Sequence, residues 1–195
     1  MVVLRRYQPS DLDALYRICV QTGDAGADAT PLHNDPQLVG HVYAAPYGVL
    51  EPGNALVAED EQGVAGYLVG THDTDAFVAR LEAEWWPELR TRYADAHGMT
   101  EADRNRIATI MRPHKNPADI VADYPAHIHM NLLPRLRGQR VGSRLLDMWV
   151  DQARNAGVSG IHLGASRSNA GGIAFWGKSF ERLREDGAVW FGMRL

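Results

Sequence analysis

Apolar positions along this chain follow two rhythms, one of period two and one of about 3.6, and their alternation predicts the order of the elements. Val2, Val3 and Leu4 make a short strand, and Ser10 stands where it would cap a helix over residues 11–20, with Leu12, Leu15, Ile18 and Cys19 on its apolar face. Glycines and acids in residues 22–28, then Pro31, Pro36 and Pro46, break regularity and leave room for a short helix around residues 36–43. Residues 56–59 and 64–70 flank the polar turn 60–63, a hairpin pattern.

The segment between this hairpin and residue 126 is too long for a structureless loop. Phe77, Leu81, Trp85 and Leu89 recur every four residues, with Asp75, Arg80, Glu82, Glu84 and Arg90 mostly off the stripe, so an amphipathic helix is expected. Pro87 sits badly in it unless the helix kinks. Thr100 followed by Asp103 reads as a capping box opening a second helix with Ile107, Ile110 and Met111, which Pro113 closes. We therefore expect one domain over residues 1–195, with a helical insertion at about 73–125.

Next come a strand-like run at residues 126–133, a basic glycine turn from Arg137 to Gly142, and a helix carrying Val141, Leu145, Met148, Val150 and Ala153 that stops at Gly157. A helix N-terminus presents unpaired N–H groups and the positive end of the peptide dipoles, so this turn is a candidate phosphate site. Gly138 and Gly142 permit close approach, and Arg137, Arg140 and Arg144 add charge. Residues 161–165 give a further strand, and residues 180–183 and 189–193 a terminal hairpin.

The 195 residues are 45% apolar and 23% charged, as in an ordinary globular chain. A net charge of −4 gives no reason to expect nucleic acid or an anionic membrane as partner. No apolar run approaches the roughly 20 residues a bilayer span needs, and no signal-peptide core follows Met1, so a cytoplasmic location is expected. Cys19, the single cysteine, excludes an intrachain disulfide and reads as a buried thiol.

The run from Leu132 to Leu146 resembles the acetyl-CoA motif of the GNAT superfamily of N-acetyltransferases, which carries Arg/Gln-x-x-Gly-x-Gly/Ala here. Arg137 and Gly142 match its ends, but Arg140 replaces the middle glycine, which is tolerable if that residue is helical and damaging if a positive φ is required. Asn169, Phe175 and Lys178 are similar to the family's second cofactor motif; Gly172 replaces an alanine, a glycine before Phe180 is missing, and Trp176 stands where many members have a tyrosine. Tyr124 to His129, the inserted helices and the Leu-Leu-Pro-Arg run more narrowly resemble the acetyltransferase-like domain of O-GlcNAcase and its free-standing bacterial relatives.

The resemblance implies an α/β (α+β) GNAT fold, a mostly antiparallel mixed sheet of about seven strands flanked by helices, with the insertion before the central cofactor strand. It implies acetyl-CoA as cofactor, bound by Leu132, Leu133, Arg137, Gly138, Gln139, Arg140, Val141, Gly142, Ser143, Arg144, Asn169, Phe175, Trp176 and Lys178, and a strand bulge near Leu132 or Leu133 offering a backbone N–H to the thioester oxygen.

His127, His129 and Asn131 share one strand face. His129 is the preferred base, His127 stands behind it, and Asn131 orients water or acceptor; the alternative is histidines satisfied beneath a helix, and alignment on Arg137 and Leu132 places the family's usual catalytic parity on Ile128 instead. Asp24, Asp28 and Tyr67 are expected at the acceptor, and the final acid is Tyr67, a histidine or solvent. The expected activity is acetyl transfer to a primary amine of an unidentified acceptor, with an acetyl-CoA-binding pseudo-acetyltransferase or sensor as the alternative. A monomer or homodimer, without metal, is expected.

Overall fold

Alternating apolar positions and tight polar turns assemble a seven-stranded sheet in the order β1-β2-β3-β4-β5-β7-β6. The computed structural model describes residues 1–95 and 97–195. Its strands are β1 (Val3–Arg6), β2 (Leu56–Asp60), β3 (Gly63–Thr71), β4 (Ala126–Leu132), β5 (Gly160–Ala165), β6 (Glu181–Asp186) and β7 (Ala188–Arg194). Every neighbouring pair is antiparallel except β4 and β5, which run parallel. The helices are α1 (Leu12–Val20), α2 (Gln37–Tyr43), α3 (Ala45–Leu50), α4 (Thr74–Arg80), α5 (Trp86–Arg92), α6 (Glu101–Met111), α7 (Ala118–Asp123), α8 (Val141–Asn155) and α9 (Ala170–Trp176). This is the expected mixed α/β sheet with its helical insertion before β4.

Side chains alternate across β4 and divide the core into two layers. On one face Ile128 lies under α8, whose fully buried Trp149 closes over Gly70 and donates its indole N–H to the carbonyl of Asn54 at 2.8 Å. On the other face His127 meets Tyr47 of α3 and Thr74 of α4, while Asn131 meets Thr22 beyond α1. The insertion forms a second apolar cluster, Leu38 of α2 packing with Trp86, Leu89, Tyr93, Ile107 and Ile110. No helix among the described residues is long and apolar enough to cross a membrane.

Three local expectations change and one open alternative, at Arg140, is decided. Ser10 is not the cap of α1: a short tight turn over Pro9–Asp11 precedes it, and the Asp11 carboxylate takes the Gln8 N–H at 2.8 Å while gripped by Arg5 at 2.7 and 2.9 Å. The single stripe from Phe77 to Leu89 is broken by one widened helical turn, Leu81–Trp85, which adds a residue, buries Trp86 rather than Trp85, and restarts the helix with Pro87 in its first turn, where a missing N–H is harmless. Arg140 is not helical but left-handed, with φ +58°. The bulge near Leu132 is absent: β3 and β4 stay in register from Gly66–Leu132 to Thr71–His127.

Candidate active site

The site begins where two parallel strands separate. β4 and β5 are in register only at Ala126–Ile161 and His127–His162, after which β5 continues with β7 alone. Leu133 donates its N–H to the carbonyl of Ala65 at 2.9 Å, so the alternation of an antiparallel strand turns the Leu132 N–H the other way, toward the gap that β5 has left.

At one end of this gap stands the N-terminus of α8. The chain enters through two left-handed residues, Gly138 at φ +75° and Arg140 at φ +58°, and the N–H groups of Val141, Gly142 and Ser143 have no carbonyl inside the helix. Gly142 packs closely: a Cβ would lie 3.2 Å from the Met130 methyl and 3.3 Å from the Phe175 ring, so a side chain there would have to push these neighbours aside. Arg140 and Arg144 are exposed and make no ion pair among the described residues. Arg137 instead donates to the carbonyls of Gly26 at 2.6 Å and Leu132 at 3.3 Å, tying the 22–28 loop to the turn. Gln139 is spent on the Arg135 carbonyl, Asn169 caps α9 through the Gly172 N–H, Lys178 is exposed, and Trp176 is buried against Phe175 and Phe180. Unpaired amides beside two free guanidinium groups fit a diphosphate such as that of coenzyme A.

On the other face of β4 lies a cavity of about 280 Å³, and His129 and Asn131 are in its wall. Asn131 is pinned: its carbonyl accepts the Tyr67 phenol at 3.0 Å and its amide donates to Thr22 at 2.5 Å. His129 has no hydrogen-bond partner among the described residues and rests against the edges of Tyr43 and Tyr47, with ring centroids 5.9 and 5.4 Å away. Burial, helped by His162, pushes its pKa down to about 4, so its imidazole is neutral at pH 7.

His127 is differently placed. Thr74 gives its proton to the Pro125 carbonyl at 2.6 Å, so it can only accept from His127 Nδ1–H at 2.8 Å, leaving Nε2 to accept the Tyr47 phenol at 2.6 Å. Both nitrogens are occupied, and burial drives the pKa well below the usual imidazole value. His127 thus braces α3 and α4 against the sheet and does not reach the cavity, as the alternative of a satisfied histidine supposed.

Of the three residues expected at the acceptor, Asp24 lies on the cavity rim. Asp28 points elsewhere and caps the turn by accepting the Thr30 N–H at 2.8 Å. Tyr67 is fully buried behind Asn131, and burial raises its phenol far above its ordinary pKa, so it supports the amide instead of lining the cavity. Cys19 is a buried thiol pushed up to about 11.

The cavity also holds three residues to which the sequence reading gave no role: His33, Tyr43 and Arg106. The fully buried Asp103 accepts His33 Nδ1 at 2.8 Å, the Asn34 N–H at 3.0 Å and the Thr100 N–H at 3.1 Å. Burial pushes Asp103 up, but these donors outweigh it and hold the carboxyl below its ordinary range. The Thr100–Asp103 box was legible as a helix cap; that its second oxygen reaches a histidine 70 residues earlier was not.

Residues 27–181 match the acetyltransferase (GNAT) family. The crystal structure of SsHAT superposes with a TM-score of 0.91 at 34% identity, covering 99% of this chain and 98% of that one. PaiA N-acetyltransferase from Thermoplasma acidophilum, in complex with coenzyme A, superposes with a TM-score of 0.61 at 11% identity, over 100% of this chain and 99% of that one, a likeness of fold. Protein O-GlcNAcase of Rattus norvegicus is 24% identical over 160 residues, 80% of this chain but only 17% of that protein's length.

Proposed function

The chain belongs to the acetyltransferase (GNAT) family, whose members carry out acetyl-CoA-dependent acyl transfer, and from that premise we propose that it passes acetyl groups to a primary amine by direct attack. Acetyl-CoA, when bound, supplies a thioester whose carbon–sulfur bond breaks as the amine nitrogen bonds to the carbonyl carbon, leaving an amide and the free thiol.

The residues divide this work by position. The first-turn amides of α8, with Arg140 and Arg144, hold the diphosphate. The Leu132 N–H, directed into the gap, donates to the thioester oxygen, where negative charge develops. His129, neutral above about pH 5, accepts the proton that nitrogen releases, directly or through a water oriented by Asn131. The amine attacks after its ammonium, of pKa about 10, has given one proton to solvent; so weak a base then suffices for the second, because that proton becomes far more acidic once nitrogen has bonded to carbon. A thiol of pKa near 8.5 departs without much help, so Trp176 in place of a phenol does not block the step.

The reading rests above all on the separation of β4 from β5 beside the N-terminus of α8, with a histidine-lined cavity on the opposite face of β4. Calorimetry with acetyl-CoA, followed by its consumption in the presence of a panel of primary amines, tests it. Saturable binding with thiol release that depends on the amine is expected. Binding without turnover on any amine would instead support a cofactor-binding module, the reading that the buried indole of Trp176 favours; no binding at all would refute both.

A further inference from the structure

Arg106 on α6 is half-buried in the cavity wall, its guanidinium carbon 5.4 Å from the Tyr43 ring centroid and its Nη1 donating to the Tyr43 hydroxyl at 2.5 Å. It makes no ion pair among the described residues. The half-buried Arg5, Arg80, Arg90, Arg135 and Arg184 each hold a carboxylate, and Arg17 donates to the Val64 carbonyl. A guanidinium partly withdrawn from water and left without a counter-charge is an incomplete pair. Its remaining donors form a fork matched to two carboxylate oxygens, and Tyr43 holds that fork in place.

A further group in the same cavity complements an amine: Asp24 puts a carboxylate on the rim. Because the ionised Asp103 can only accept, His33 donates to it through Nδ1 and is held in the cavity wall. The volume, about 280 Å³, suits a small molecule.

We propose that the acceptor is a small aminocarboxylate, an amino acid or close analogue, whose carboxylate pairs with Arg106 while its amine is directed toward His129. This rests on the transfer reading above and adds the substrate class to it.

The test compares amines in matched pairs that differ only by the carboxylate: lysine against cadaverine, phenylalanine against phenethylamine, 4-aminobutyrate against propylamine. Acetyl transfer is measured on the protein and on Arg106→Gln and Arg106→Lys variants whose folding is checked by circular dichroism, with binding of each amine followed separately by calorimetry. At least one pair should favour the carboxylate by about tenfold to a hundredfold in kcat/KM, the range expected of a charged hydrogen bond. Arg106→Gln should bring that ratio toward one, and Arg106→Lys should restore part of it. Turnover of both members at equal rates would overturn the subsite and leave the transfer reading standing. If no amine turns over, the transfer reading falls, while saturable binding of only the carboxylate-bearing members, lost in Arg106→Gln, would still uphold the subsite.

Discussion

Arg140→Gly should make this protein more stable and bind coenzyme A less well. Arg140 holds φ +58° and ψ +15° at the entrance to α8, and its side chain has no hydrogen bond or ion pair among the described residues. The left-handed conformation costs a side-chain-bearing residue about 1–2 kcal/mol. Glycine removes that strain but gives up roughly 0.5–1 kcal/mol through the greater freedom of its unfolded chain. The net gain is about 0–1.5 kcal/mol, centred near 0.75, which for a chain of this size raises the melting temperature by up to roughly 6 °C. Calorimetric unfolding of the wild type, Arg140→Gly and Arg140→Ala measures it, with alanine as control because it keeps the strain while removing the charge. If Arg140 contacts the diphosphate, both variants should also lose about threefold to thirtyfold in coenzyme A affinity. A glycine variant no more stable than the alanine one would refute the claim that the turn stores strain.

Asp103→Asn should destabilise the fold by about 2–3 kcal/mol, because an amide offers one acceptor oxygen where the buried carboxylate serves three donors; urea unfolding measures it, and a loss under 1 kcal/mol would contradict the role of Asp103 as the clamp on His33. Stability should also fall on mild acidification. His41 and His129 titrate at about 4 when folded, through burial first, against about 6.5 when unfolded, and burial likewise holds His127 well below its ordinary value. Between about pH 6.5 and 4 the unfolded chain therefore binds more protons, so these groups favour the fold fully above pH 6.5 and progressively lose that effect as pH drops. The urea midpoint should be clearly lower at pH 5 than at pH 7.5, and an equal or higher midpoint would count against neutral imidazoles in this core.

The sheet was readable because its rules are local. Period-two runs, a hairpin turn and a glycine-terminated helix each state their conformation within ten or fifteen residues, and β2, β3, β4 and α8 lie where those signals put them. The departures come from interactions that no short window contains. Ser10 is a good cap by composition, but Arg5 secures Asp11 instead, so the helix begins one residue later, at Leu12, after a short tight turn. The stripe from Phe77 to Leu89 has an even spacing that assumes an unbroken helix, whereas Pro87 is accommodated by a widened turn that moves the buried aromatic from Trp85 to Trp86. His127 and His129 have the same parity on the same strand; only the positions of Tyr47 and Thr74 occupy one and leave the other bare.

The same argument explains the insertion. A sheet with a separated strand pair and one helix N-terminus can hold a coenzyme without the extra helices. In this chain they pack on α2 through Leu38, Trp86, Leu89, Tyr93, Ile107 and Ile110, which fixes α6 beside the cavity. From that position α6 supplies Ala102 and Arg106 to the wall and, through Asp103, locks His33 into it. On the proposed reading the coenzyme and the amine approach from opposite faces of β4 and meet where Gly26 and Asn169 border the cavity, far from α6 in sequence, so substitutions along α6 should change which amine is accepted without altering coenzyme A affinity. Measuring that affinity in the Arg106 variants checks the division, because a loss there comparable to that of Arg140→Gly would mean that the two sites are not separate.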